Sequence, residues 1–126
     1  MRTAAEVLRH LSQKKALDAE TKDLAAFLVY CLRRIDEGID ESARAWEKRD
    51  YWIKAERFRH RWSWAGRSAT ELDALIRDEA WDQLPMALAA LLPEFASVKV
   101  TRFTRAPSMW AGAYERLLGE PAEVIR

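Results

Sequence analysis

The chain has 126 residues, 49% hydrophobic and 33% charged, with a formal net charge of +1. That length supports about one domain with a core burying roughly two-thirds of the unfolded surface, without a metal or disulfide staple. The near-neutral balance excludes a global electrostatic pull toward nucleic acid or membrane. The single cysteine, Cys31, lies in the apolar run LAAFLVYCL, which is far shorter than the ~20 residues of a membrane span. The first ten residues, MRTAAEVLRH, lack the uninterrupted apolar segment of a signal peptide, so a reducing, cytoplasmic location is expected. Asparagine is absent and only Gln13 and Gln83 carry side-chain amides. This composition fits a thermophile, and a GC-rich genome equally.

Thr3 followed by Glu6 is a capping-box pattern, predicting a first helix from Ala4 with Val7, Leu8 and Leu11 on its buried face, ending near Lys15. Asp18 or Thr21 then caps a second helix whose first turns are acidic, as the helix dipole favours. Leu24, Leu28, Cys31, Ile35, Ile39, Ser42, Trp46 and Ile53 keep a three-four spacing straight through Gly38. This continuity predicts one long helix over residues 21–64, on the order of 65 Å long at 1.5 Å per residue. The alternative is a helical hairpin with Gly38 at the C-cap and Asp40 as the next N-cap.

Within residues 43–65 fall four of the six tryptophans, Trp46, Trp52, Trp62 and Trp64. On a helical wheel Tyr51, Ala55, Phe58, Trp62 and Ala65 form one stripe, with Trp46, Ile53 and Trp64 nearly opposite and Trp52 between. A helix apolar on two faces is either sandwiched between neighbours or presents one face to a partner.

Gly66 is a candidate helix stop, and Ser68 with Glu71 a second capping box opening a helix that buries Leu72, Leu75 and Ile76. Pro85 suits the first turn of a short helix over residues 86–92, which Pro93 closes. Residues 97–105 (SVKVTRFTR) alternate β-branched residues with cations, but one short strand has nothing to pair with, so an extended loop is expected. A last helix spans residues 109–118, with Trp110, Ala113, Tyr114 and Leu117 on one side, and the tail over residues 120–126 is expected to fray. The fold class is therefore all-α, a single domain over residues 1–126 in which shorter helices pack on one long central helix.

No residue pattern announces a reaction. Neither His10 nor His60 has glutamate three residues before it, as a di-iron bundle requires; Glu6 and Glu56 stand four before, a spacing that reads as ordinary helix pairing. Cys31 is expected to be buried and its thiol disfavoured as a nucleophile. No G-x-S-x-G, phosphate-binding glycine loop or zinc-ligand spacing occurs. The expectation is a non-catalytic protein without metal or cofactor.

The remaining signal is charge segregation. Residues 18–41 carry seven acids against three bases, a net charge of −4, and residues 44–67 carry eight bases against three acids, a net charge of +5. Dipole matching along a helix explains part of this. One functional reading is a protein-interaction, scaffold or self-assembling module, in which an antiparallel homodimer sets acidic halves against basic halves. The other is binding of RNA or DNA, phosphates meeting cations while an exposed tryptophan stacks on a base. Both draw on one set of residues: Arg44, Trp46, Lys48, Arg49, Trp52, Lys54, Arg57, Arg61, Trp64 and Arg67, with Lys99, Arg102 and Arg105 from the loop. The partner is thus expected to be a second copy, another protein or a nucleic acid, and no membrane.

Overall fold

The computed structural model describes residues 1–121, so the expected fraying falls mostly outside the described residues. The described residues fold as five α-helices: α1 Arg2–Gln13, α2 Ala19–Glu47, α3 Trp52–Arg77, α4 Leu84–Leu91 and α5 Ala113–Gly119. Three single 3-10 turns, Trp81–Gln83, Leu92–Phe95 and Pro107–Met109, sit between them. No strand occurs among the described residues, and residues 97–105 form an irregular loop that begins in a turn and bends repeatedly instead of running extended.

Continuity through Gly38 is observed, since α2 passes it without interruption. The expected helix over residues 21–64, however, is two helices, because the chain reverses at residues 48–51. Asp50 adopts a left-handed φ of 63°. The Tyr51 N–H bonds the Trp46 carbonyl at 2.9 Å and the Asp50 N–H bonds that of Glu47 at 3.0 Å. These are the 6→1 and 5→2 bonds of a Schellman stop, built here on aspartate instead of glycine. The same device ends α3: Glu79 has φ 54°, and the Ala80 and Glu79 N–H groups bond the carbonyls of Leu75 and Ile76.

Other expected boundaries are displaced, the last helix beginning at Ala113 and not at residue 109, where a 3-10 turn stands instead. Gly66 and Ser68 lie inside α3, so neither the stop nor the second capping box forms. At the N-terminus, Met1 occupies the cap position of α1 and no side chain caps it. Glu6 is buried and bonds elsewhere, so the first capping box is absent too. Asp18 does cap α2, its carboxylate accepting from the Thr21 N–H at 2.8 Å and hydroxyl at 2.7 Å. Those bonds, the hydroxyl's foremost, lower its carboxyl to about 2.

The core gathers where all helices meet the proximal half of the α2–α3 hairpin. Leu24, Leu28 and Leu32 of α2 pack with Val7, Leu8 and Leu11 of α1, Leu72, Leu75 and Ile76 of α3, Leu88 and Leu91 of α4, and Trp110 and Leu117. α1 runs antiparallel to α2, with Leu11 near Thr21 and Met1 near Ile35. Short α5 is held at both ends by the hairpin. Asp23 of α2 accepts from the Gly112 and Tyr114 N–H groups at 3.2 and 3.0 Å. Arg77 of α3 donates to the carbonyls of Leu117 and Glu120 at 2.8 and 2.9 Å. Arg77 is itself paired with buried Asp73 at 3.0 Å.

Gly38 and Gly66, inside the two long helices, differ in what an added Cβ would meet. A Cβ at Gly38 meets nothing within 4 Å, whereas one at Gly66 meets the Asp36 carboxyl at 2.9 Å. Gly38→Ala is expected to stabilise the fold by about 0.5–1 kcal/mol through helix propensity. Gly66→Ala forfeits that gain by displacing Asp36. Urea denaturation of the two variants beside the parent measures the difference.

Candidate interaction surface on the distal hairpin

Beyond Ile35, where α1 ends, α2 continues for twelve further residues to Glu47, about 18 Å of helix. α3 returns alongside it, and the two form a distal arm. Its interior is small: Ala43 and Ala55 are fully buried, letting the backbones approach closely. A bidentate clasp locks the pair, Arg59 donating from Nη1 and Nη2 to the two Glu47 oxygens at 2.9 and 2.8 Å and reaching Asp40 at 3.4 Å. That contact holds the Glu47 carboxyl below the usual carboxylate range and raises Arg59. Arg59 of α3 thus answers part of the charge segregation inside the chain, through Asp40 and Glu47 of α2.

Along one side of the arm the aromatic rings form a ladder. Trp46 meets Phe58 edge-on at 4.7 Å between centroids, Phe58 meets Trp62 at 6.4 Å, and Trp62 meets Trp64 at 5.7 Å. Trp64 ends the ladder against Phe95 at 5.5 Å. At 8% exposed, Trp64 is a core residue, unable to stack on a base or face a partner. Trp46, Phe58 and Trp62 are half-buried. Hence α3 is sandwiched between α2 and α4 over its second half and presents a face over its first.

At the tip three consecutive large apolar side chains stand in solvent: Tyr51, Trp52 and Ile53 are 55%, 59% and 68% exposed. Around them Lys48, Arg49, Lys54, Arg57 and Arg61 form no ion pair among the described residues; Arg67 forms none either and lies further along α3, beside α4. Lys54 places its ammonium 4.6 Å from the Trp46 ring centroid. Arg44, by contrast, is paired with Asp40 at 3.0 Å. Tyr51, Ile53, Phe58 and Trp62 complete this surface although the sequence reading did not single them out as site residues. The signal that could have found them was the reversal at Asp50, which puts residues 51–53 at an apex.

The loop cations do not join this surface. Lys99, Arg102 and Arg105 lie along α1, where Arg2 donates to the carbonyls of Lys99 and Arg102 at 2.8 and 3.0 Å. Arg105 donates to the Thr3 hydroxyl at 3.0 Å and stands 3.7 Å from Glu6. Buried Glu6 accepts from the N–H and hydroxyl of Thr104, and His10 stacks on Phe103 at 3.7 Å. Arg2, Arg9 and Arg105 thus fasten the 97–105 segment to the first helix, Lys99 and Arg102 contributing backbone carbonyls.

Cys31 is mostly buried and its thiol is pushed up to about 11 by that burial. Among the described residues no group of three or more His, Cys, Asp or Glu side chains is placed to hold a metal ion, and no helix is long and apolar enough to cross a membrane.

Burial raises the Glu6 carboxyl, but the Thr104 hydrogen bonds and the Arg2 and Arg105 charges outweigh it, leaving Glu6 below its ordinary 4.5. A carboxyl depressed on folding contributes stability above its unfolded value, and that contribution is lost as pH falls through the folded one. Acidification below about pH 4.5 is therefore expected to release the loop, seen as movement of the Thr104 amide resonance toward its unfolded shift. Glu6→Gln should show that shift already at neutral pH and respond little to acid. The chain matches no protein-family model, no curated protein and no solved structure.

Proposed function

We propose that this protein is a non-catalytic interaction module that presents the distal arm of its hairpin to another protein. One observation carries the reading: Tyr51, Trp52 and Ile53 are consecutive, large, apolar and exposed at the apex. Leaving three such side chains in water forgoes roughly 1.5–3 kcal/mol of burial each, a cost that a docked surface recovers. Tyrosine, tryptophan and arginine are also the residue types enriched at interface hot spots. The alanine-lined, Arg59-clasped stem supports the apex rigidly, which reduces the ordering cost of association.

The unpaired cations around the apex favour a second reading, in which Lys48, Arg49, Lys54, Arg57 and Arg61 meet phosphates and Trp52 stacks on a base. Photocrosslinking separates the two. A photoreactive phenylalanine analogue at position 52 is expected to yield a discrete protein adduct in the source cells, with only background from the same group at exposed Glu115. Adducts to nucleic acid, abolished by Arg57→Glu with Arg61→Glu, would transfer the assignment to the second reading. No adduct from position 52 above that background would remove both.

A further inference from the structure

The face of α2 that α1 covers does not end where α1 does. Leu24, Leu28 and Ile35 lie on one helical stripe beneath α1, and the stripe continues through Ile39 and Ser42 to Trp46 with nothing of α1 above it. On α3, Phe58 and Trp62 form the opposite wall, joined to Trp46 through the 4.7 Å ring contact. The result is a groove between two antiparallel helices, filled by a third helix over its proximal half and open over its distal half. Ile39 and Trp46 remain half-buried there, and Ser42 is exposed on its floor.

The rims of that groove are not neutral. Lys54, Arg57 and Arg61 follow one another at three- and four-residue spacing along α3, on its Phe58 side, and none has an ion-pair partner among the described residues. Across from them α2 offers Gly38 and Ala45, with Arg49 at the end. The acids of the arm are largely engaged already: Asp40 and Glu47 by Arg59, and Glu37 and Glu41 by Arg34. An apolar floor with a cationic rim calls for an occupant with an apolar stripe and an anionic flank.

We infer that the open half of the groove takes an acidic amphipathic helix from a different protein, which lies where α1 would continue and completes a three-helix bundle. This rests on the reading that the arm docks protein, and it adds the partner's chemistry. Helix-in-groove recognition supplies apolar anchors at i, i+3, i+4 and i+7 spacing, and glutamates beside them reach the arginines in bidentate geometry. A second copy of this chain fits poorly: a two-fold contact pairs different residues of one patch, and Asp40, Glu47, Glu37 and Glu41, the arm acids that could meet Lys54, Arg57 and Arg61 across it, are already held by Arg59 and Arg34.

Two synthetic peptides of equal length and identical leucine stripe test this, one flanked by glutamate and the other by lysine. Fluorescence anisotropy of each labelled peptide titrated with the full chain is expected to show saturable binding of the glutamate helix at least tenfold tighter than the lysine helix, weakening with salt. Arg57→Glu with Arg61→Glu should reduce that affinity at least tenfold while circular dichroism stays unchanged. Ser42→Arg is the discriminating variant. It adds a cation but fills the groove, so it should weaken docking, whereas attraction by charge alone would make it strengthen. Binding of neither peptide, equal binding of both, or tighter binding by Ser42→Arg overturns the inference. So does displacement of the glutamate helix by a single-stranded oligonucleotide at lower concentration, or a concentration-dependent dimer in light scattering that Ser42→Arg dissociates. A protein adduct from position 52 with no binding of the glutamate helix would discard the acidic-helix inference alone, leaving the docking reading in place.

Discussion

Reversal of the chain at Asp50 is the constraint on which the arrangement of this molecule depends. One residue accepting a left-handed backbone converts a stretch with the periodicity of a single long rod into two helices lying side by side. From that follow the pairing of the acidic part of α2 with the basic part of α3, the Arg59 clasp and the exposure of residues 51–53 at an apex. Aspartate suits the position because a short polar side chain tolerates the left-handed region better than most. It is nonetheless a less obvious stop than glycine, and no proline or glycine accompanies it.

The all-α class, the core faces of α1 and α2, the Asp18 cap, the passage through Gly38 and the lack of a strand over residues 97–105 were all legible from spacing and composition. What escaped were chain reversals written without glycine. At Asp50 and Glu79 the backbone turns on residues whose local preference does not announce it, while at Gly66 a residue that commonly ends helices lies inside one. The reason at Gly66 is tertiary: the Asp36 side chain of α2 lies against that glycine, so a missing Cβ serves helix packing instead of a cap. Thr3 and Glu6 show the same override. A sequence-local box was available, but the carboxylate contributes more by fastening a loop 98 residues away.

Among the candidate surface residues the division is equally physical. Helical periodicity identifies which side chains share a face, but it cannot say whether another element covers that face. Trp64 and Trp46 lay on the same side by wheel angle, yet Phe95 covers one and nothing from α1 reaches the other. Cation-rich composition likewise pooled the loop with the hairpin, although Arg105 is occupied by Thr3 and Glu6 of the first helix. Charge segregation, read as a motive for pairing two chains, is met in part within one, by Arg59, while Lys48, Arg49, Lys54, Arg57 and Arg61 form no ion pair among the described residues.

The double anchoring of α5 has a consequence for how the chain acquires its fold. Seven residues are too few for an isolated helix to persist in water, since nucleation outweighs the hydrogen bonds so few residues can form. Its N-terminal amides are received by Asp23 and its C-terminal carbonyls by Arg77, groups that come into register only once α2 and α3 have paired. The paired hairpin is thus the template, with one acceptor and one donor at the right separation, and docking of the last helix depends on it. Local opening of α5 would bring Ala113 and Leu117, both fully buried, into water.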